Sequence, residues 1–189
     1  MNKAIFLDRD GVINKMIYNT LRDEYEPPHK SEELELFSDT LEFLKKAQEN
    51  DFLLFLISNQ PDYAKGKCTL EDIYSVHNKL DEIFKKNNID FTEYYYCYHH
   101  PDGIIKEYSF ECECRKPKPF FIKKAIKEYD IDVENCWIIG DRDTDIYCGQ
   151  ASGIKTVLIL SENSKSYQGK SKPNFVAKNL SETIKIIIK

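Results

Sequence analysis

This sequence predicts an α/β fold, a Rossmann-like parallel sheet with helices on both faces. Three features carry that expectation. Short continuous apolar runs, which read as buried strands, alternate with stretches of helical periodicity, and such alternation builds parallel sheets. Three of the runs end in acidic or polar clusters, Asp8/Asp10, Ser58–Gln60 and Gly140–Asp145, and open α/β sheets bind ligands beyond the carboxyl ends of their strands. A length of 189 residues suits one domain with a sizeable core, expected to span residues 1–189.

The first strand is Ala4–Leu7, apolar throughout. Asp8 and Asp10 follow it, and residues i and i+2 of a strand share a face, so both carboxylates can reach one small volume. Gly11 lets the chain turn there. Two carboxylates this close repel unless a cation or a shared proton relieves them, although the pair taken alone is also what a solvated turn looks like. Residues 15–30 are polar and, with Pro27-Pro28, read as a long irregular loop in a substrate-facing position. Ser38 is the expected N-cap of a helix bearing Leu41, Phe43, Leu44 and Ala47, ended by Asn50-Asp51.

Phe52–Ile57 is the second strand. It runs into Ser58-Asn59-Gln60-Pro61, a hydroxyl and two amides that can bind an oxyanion or simply form a turn. Thr69 and Asp72 make a capping box for the next helix, which Asn87-Asn88 stops. Phe91–Tyr96 is an aromatic strand whose Tyr94-Tyr95-Tyr96 packs both faces. Pro119 suits the first turn of a helix bearing Ile122, Ala125, Ile126 and Tyr129. Cys136–Ile139 is the fourth strand and leads into Gly140-Asp141-Arg142-Asp143-Thr144-Asp145; a helix over 143–152 closes at Gly153. Lys155–Leu160 is the fifth strand. Ser161–Pro173 is polar and reads as flexible, Asn174–Ala177 as an edge strand, and a terminal helix starts at Leu180.

Composition narrows the function classes. Hydrophobic residues make up 41% and charged residues 31%, a globular balance. The net charge of −5 without a basic block argues against nucleic acid as a partner. No apolar run reaches membrane-spanning length, and Met1-Asn2-Lys3 leaves no room for a signal peptide. The six cysteines are therefore expected to be reduced or metal-bound.

Four of the candidate metal ligands are paired in sequence. Cys97-Tyr98-His99-His100 and Cys112-Glu113-Cys114 bracket a loop, and three thiolates with one imidazole complete a tetrahedral zinc site. Such a closed set leaves no open position, so zinc here is structural and holds the loop. Spacing leaves open whether His99 or His100 is the ligand. Cys68, Cys136 and Cys148 lack such partners and read as small buried apolar groups. Arg115 and Lys116 follow at once, fixed between the loop and a helix start.

Taken together, Asp8-x-Asp10-Gly11, Ser58-Asn59-Gln60, Lys116-Pro117 and Gly140-Asp141-x3-Asp145 resemble the four motifs of the haloacid dehalogenase (HAD) superfamily of phosphatases, in order, across residues 4 to about 160. The resemblance implies that Asp8 is a nucleophile forming an aspartyl-phosphate. It makes Asp10 the general acid and then the base. It assigns Mg²⁺ to the carboxylates of Asp8 and Asp141 and the main-chain carbonyl of Asp10, with Asp145 supporting the site from behind. Ser58, Asn59 and Gln60 would serve the phosphate, and Lys116 would supply a fixed positive charge. Members often carry a cap domain, but the spans 14–52 and 60–114 leave no length for one. The cleft is expected to be open, walled by the 15–30 loop and the zinc loop.

Within the superfamily, Cys-x-His…Cys-x-Cys-Arg-Lys-Pro resembles the histidinol-phosphatase-like branch. That branch holds phosphatases of D-glycero-D-manno-heptose 1,7-bisphosphate and of histidinol phosphate. His99–Gly103 and Ala64–Lys67 favour the heptose type, with Arg115 and Arg142 on the distal end of the substrate; Glu26-Pro27-Pro28 is closer to the histidinol type. The 15–28 loop and Pro61-Asp62-Tyr63 depart from the branch pattern. The implied cofactors are Mg²⁺ and structural zinc, the implied partner is a small phosphorylated metabolite, and neither nucleic acid nor membrane is involved. A cytoplasmic monomer is expected. The alternative from another class is an inactive, zinc-stabilised binding module, against which every catalytic carboxylate is present.

Overall fold

The computed structural model describes residues 1–188; Lys189, the last residue of the expected domain, lies outside them. The strands are β1 (Asn2–Leu7), β2 (Ile17–Asn19), β3 (Glu24–Glu26), β4 (Phe52–Asn59), β5 (Glu93–Cys97), β6 (Ile131–Gly140), β7 (Lys155–Ile159) and β8 (Phe175–Ala177). The helices are α1 (Thr40–Glu49), α2 (Leu70–Lys86), α3 (Phe120–Glu128), α4 (Asp143–Ser152) and α5 (Leu180–Ile187). Six strands form one parallel sheet in the order β5-β4-β1-β6-β7-β8, and β2 pairs with β3 in a separate hairpin.

The apolar runs are continuous because both faces of the sheet are covered. Ile5 and Leu7 pack with Leu54, Leu56, Trp137 and Ile139 beneath α1, α2 and α5. Ala4 and Phe6 pack with Phe55, Ile57, Tyr95 and Ile138 beneath α3 and α4. Alternate residues of a strand thus feed two cores. The tyrosine triplet divides the same way, Tyr95 to one core and Tyr94 and Tyr96 to the other.

Strand β1 lies between β4 and β6, so the chain leaves it first toward one edge of the sheet and later toward the other. This reversal opens a crevice at the carboxyl end of β1, where Asp8 begins. The capping box is present, with the Asp72 amide donating to Thr69 Oγ1 at 3.1 Å and Thr69 N to Asp72 Oδ2 at 2.8 Å. Gly153 closes α4 in the left-handed region, φ 75°.

Four local expectations are corrected. Ser38 does not cap α1: the N-cap is Asp39, whose carboxylate instead accepts from Ser181 N at 2.8 Å, while Thr40 Oγ1 donates to Ile13 O at 2.8 Å. Long-range bonds there replace a local cap. The 15–30 loop is not wholly irregular; cross-strand pairing of Tyr18 with Tyr25 supports a hairpin before the prolines. Strand β6 starts at Ile131, five residues before the apolar run, because Asn2 pairs with Ile131 across a register shift. The 161–173 segment carries a 3-10 turn, Glu162–Tyr167, with Ser164 fully buried. No separate cap is present among the described residues.

Candidate active site at the reversal of the sheet

A cleft of about 500 Å³ lies over the carboxyl ends of the central strands, and Asp8, Asp10, Ser58, Lys116, Asp145 and Arg142 line it. Three sequence-distant elements converge there because β1, β4 and β6 are neighbours. Two glycines make the convergence possible. A Cβ on Gly11, which sits at φ +89°, would come within 2.2 Å of Asp141 Oδ2, and one on Gly140 within 2.1 Å of Asp145 Cβ. Neither site has space for a side chain.

Lys116 is the hub. Its ammonium is buried and contacts Asp145 Oδ1 at 2.7 Å, Asp8 Oδ1 at 2.9 Å and Ile57 O at 2.7 Å. Burial alone would lower its pKa, but Asp145 and Asp8 outweigh that and hold it up. Asn59 fixes the Lys116 main chain from both sides: Lys116 N donates to Asn59 Oδ1 and Asn59 Nδ2 to Lys116 O, each at 3.1 Å. Asn59 thus positions Lys116 while it also lines the cleft.

Lys116 and the Arg9 amide, at 2.8 Å, both donate to Asp8 Oδ1. Among the described residues Asp8 Oδ2 receives no donor. Burial raises the Asp8 carboxyl to about 6, Lys116 opposing and Asp145 adding to the shift. Burial, then Asp8 and Asp145, raise Asp141 to about 7.

Asp10 sits in a cage of donors. Gln60 Nε2 reaches its Oδ2 at 2.6 Å and Asn14 Nδ2 its Oδ1 at 3.0 Å, and the buried Arg9 guanidinium pairs with both oxygens. Gln60, itself buried, thus props Asp10. It also donates to Ser58 Oγ at 2.9 Å, which leaves the Ser58 hydroxyl proton for a ligand. Sequence reasoning missed Arg9 and Asn14, whose only signal was their place within and just after the Asp-x-Asp turn.

One oxygen each of Asp8, Asp141 and Asp145 lie within 4.8 Å of one another. The Asp141 carboxylate is fully buried, and its Oδ1 has no hydrogen-bond partner among the described residues. Crowded anions with a free buried oxygen suit a small hard cation. Asp145 is already occupied, by Lys116 on Oδ1 and by Arg142 N at 3.0 Å on Oδ2. That fits support of the site from behind.

The second cluster also assembles. Cys97 Sγ lies 3.5 Å from Cys112 Sγ, Cys114 Sγ lies 3.4 Å from Cys112 Sγ, and His99 Nδ1 lies 3.7 and 3.5 Å from Cys97 and Cys114. Tetrahedral zinc with bonds of about 2.3 Å separates its sulfurs by about 3.8 Å, close to these spacings. His99, not His100, faces the thiols; His100 Nδ1 accepts from Asp102 N at 3.1 Å and its side chain lines the cleft. The neighbouring Cys97 thiol lowers Cys114 and is itself raised in turn, so the crowded sulfurs favour one thiolate among them before any metal is bound.

Arg115 bonds His99 O at 3.3 Å and lines the cleft beside Lys116. Arg142 makes no ion pair among the described residues; its guanidinium lies 4.4 Å over the Tyr167 ring. The cleft has a third wall that sequence reasoning missed, the 162–170 segment, with Tyr167 and Lys170. The hairpin wall is tied down by Lys67 to Glu24 (2.7 Å) and Glu26 (2.9 Å) and by His29 to Asp62 (2.8 Å).

A family model described as "HAD-hyrolase-like" matches residues 113–183. The chain is 35% identical over 158 residues to a D-glycero-alpha-D-manno-heptose-1,7-bisphosphate 7-phosphatase of Photorhabdus laumondii, covering 84% of this chain and 82% of that one. It is 32% identical over 188 residues to a D-glycero-beta-D-manno-heptose-1,7-bisphosphate 7-phosphatase of Pasteurella multocida, covering 99% and 97%. The fold matches the crystal structure of a D,D-heptose 1,7-bisphosphate phosphatase from B. bronchiseptica complexed with magnesium and phosphate. The TM-score is 0.82, at 22% identity and 98% coverage of both chains.

Proposed function

This chain belongs to the HAD-like hydrolases, in the branch of the heptose-bisphosphate 7-phosphatases, and from that membership we propose that it removes the 7-phosphate of D-glycero-D-manno-heptose 1,7-bisphosphate. The observation that carries the reading is the contact of Lys116 with both Asp8 and Asp145 at the floor of an open cleft. It joins two motif carboxylates to one fixed cation on the lining of that cleft.

In this reading Asp8 attacks phosphorus in line, and the bond to the leaving oxygen breaks as the aspartyl-phosphate forms. Asp10 gives its proton to that oxygen. It then takes a proton from the water that cleaves the acyl-phosphate, so inorganic phosphate leaves and both aspartates are restored. Lys116 and the Ser58 hydroxyl offset charge on the phosphoryl oxygens. Asp8, Asp141 and the main chain at Asp10 would hold Mg²⁺, which supplies further neutralisation of those oxygens when bound. Cys97, His99, Cys112 and Cys114 would hold zinc, which fixes Arg115 and Lys116 in place. Residues 1–189 are read as one domain working as a cytoplasmic monomer.

The test is Mg²⁺-dependent phosphate release from both anomers of the bisphosphate, measured beside histidinol phosphate. Higher kcat/KM on the bisphosphate supports the reading; higher kcat/KM on histidinol phosphate replaces it with that of the branch's other enzymes. Glu26, part of the histidinol-like Glu-Pro-Pro stretch, is already taken by Lys67, Arg22 and Asn19.

A further inference from the structure

The segment after β7 grips three consecutive residues of the β6–α4 turn, each by different chemistry. Ser164 Oγ donates to Asp141 Oδ2, and Gln168 Nε2 donates to Asp141 O at 2.6 Å and to Ile159 O at 3.0 Å. Tyr167 lies under Arg142. The amides of Lys170 and Ser171 donate to the Asp143 carboxylate at 2.9 and 3.0 Å. Asp141 is therefore held at its side chain and its main chain by one short stretch, Ser164 to Gln168.

The two oxygens of Asp141 are consequently unlike. Oδ2 is engaged by Ser164, while Oδ1 is buried without a partner among the described residues. Rotation of the carboxylate would break the Ser164 bond, and Ser164 is itself fully buried, so water cannot replace it as donor. A metal carboxylate whose other oxygen is hydrogen-bonded is oriented by that bond.

We infer that Ser164 and Gln168 are positioning residues for the cation site, holding Asp141 so that Oδ1 faces the metal. This rests on the reading of Asp141 as a magnesium ligand. Neither residue touches substrate in this scheme; both act through Asp141.

The test is calorimetric titration of MgCl₂ into the full chain dialysed against magnesium-free buffer without chelator. Ser164→Ala should raise the Mg²⁺ dissociation constant by about tenfold or more, the usual effect of losing such a partner. The Mg²⁺ concentration that half-activates hydrolysis of p-nitrophenyl phosphate should rise by a similar factor. Gln168→Ala, which leaves the Ser164 hydroxyl in place, should shift both in the same direction and serves if Ser164→Ala does not fold. Lys165→Ala, at an exposed neighbour that pairs with Glu162 at 3.4 Å, should change neither. Folded Ser164→Ala and Gln168→Ala proteins that bind Mg²⁺ as the wild type does would make these residues scaffold and overturn the inference. Failure of the substrate reading looks different: Mg²⁺ binding and its loss in the variants persist, but heptose bisphosphate is not hydrolysed. A wild-type chain that binds no Mg²⁺ overturns the assignment of Asp141 and the inference with it.

Discussion

Arg9, wholly buried, forks onto Asp10: its Nε lies 3.1 and 3.2 Å from the two carboxylate oxygens and its Nη2 3.0 Å from Oδ2. The side chain between the two motif aspartates therefore fixes one of them. A guanidinium fork does this in a way an ammonium cannot. Arg9→Lys should lower kcat on a sugar phosphate by about tenfold or more, within the range that general acid–base catalysis supplies. The loss on p-nitrophenyl phosphate should be smaller, since p-nitrophenolate departs without needing a proton. Paired kinetics on the two substrates check this; equal losses would make Arg9 a packing residue.

The Asp8 contacts give the second expectation. Asp8→Asn keeps an oxygen that can accept from Lys116 and the Arg9 amide but removes the nucleophilic carboxylate. Turnover should vanish while the thermal midpoint stays close to that of the wild type. Substantial steady-state phosphate release by the variant would sink the covalent mechanism.

The pH dependence follows from the crowded carboxylates. Burial first, then neighbouring anions, lift Asp8 to about 6 and Asp141 to about 7. Without metal, the native state keeps protons between about pH 4 and 7 that the unfolded chain has released, so these two groups make stability fall as pH rises through that window. A divalent cation favours the ionised pair and reverses the penalty. The rise in Tm produced by saturating Mg²⁺ should therefore be larger at about pH 8 than at about pH 5. Melting curves with and without Mg²⁺ at the two pH values measure it, and Asp141→Asn should shrink the difference.

The cluster of Cys97, His99, Cys112 and Cys114 gives a fourth. One zinc per chain should copurify, and Cys112→Ser should lose it, because Cys112 touches both Cys97 and Cys114. Activity should fall through geometry: the freed loop carries Arg115 and leads into Lys116. Metal analysis of protein purified without chelator is the check, and zinc-free protein with full activity would refute the assignment.

The parallel sheet was legible because buried strands leave unbroken apolar runs, and the motif carboxylates because they follow those runs directly. Thr69 and Gly153 were legible as caps because their bonds are local. What escaped depends on contacts across the chain. Asp39 accepts from Ser181, and no window around Asp39 shows that. Ser164 and Gln168 sit in a polar stretch that reads as flexible, yet they bond Asp141, more than twenty residues upstream. The protein contacts of Asn59 with Lys116 and of Gln60 with Asp10 also escaped, since sequence does not say whether an amide meets a ligand or its own protein. His99 was separable from His100 only once the side chains were placed.

The last expectation concerns substrate discrimination. A bisphosphate brings a second dianion that needs cations away from the carboxylate floor. Arg115, held through His99 O on the cluster loop, and Arg142, stacked on Tyr167, both line the cleft without an acidic partner among the described residues. Each can offer a two-pronged contact to phosphate or sugar hydroxyls. Arg115→Ala should then lower kcat/KM for the bisphosphate far more than for p-nitrophenyl phosphate, because only the former has a distal group whose contact is lost. Arg142→Ala should act in the same direction, and Tyr167→Ala more weakly, through a looser guanidinium. If Arg115→Ala reduces both substrates equally, that arginine stabilises the loop rather than reading the substrate, and distal recognition falls to the Arg142 wall.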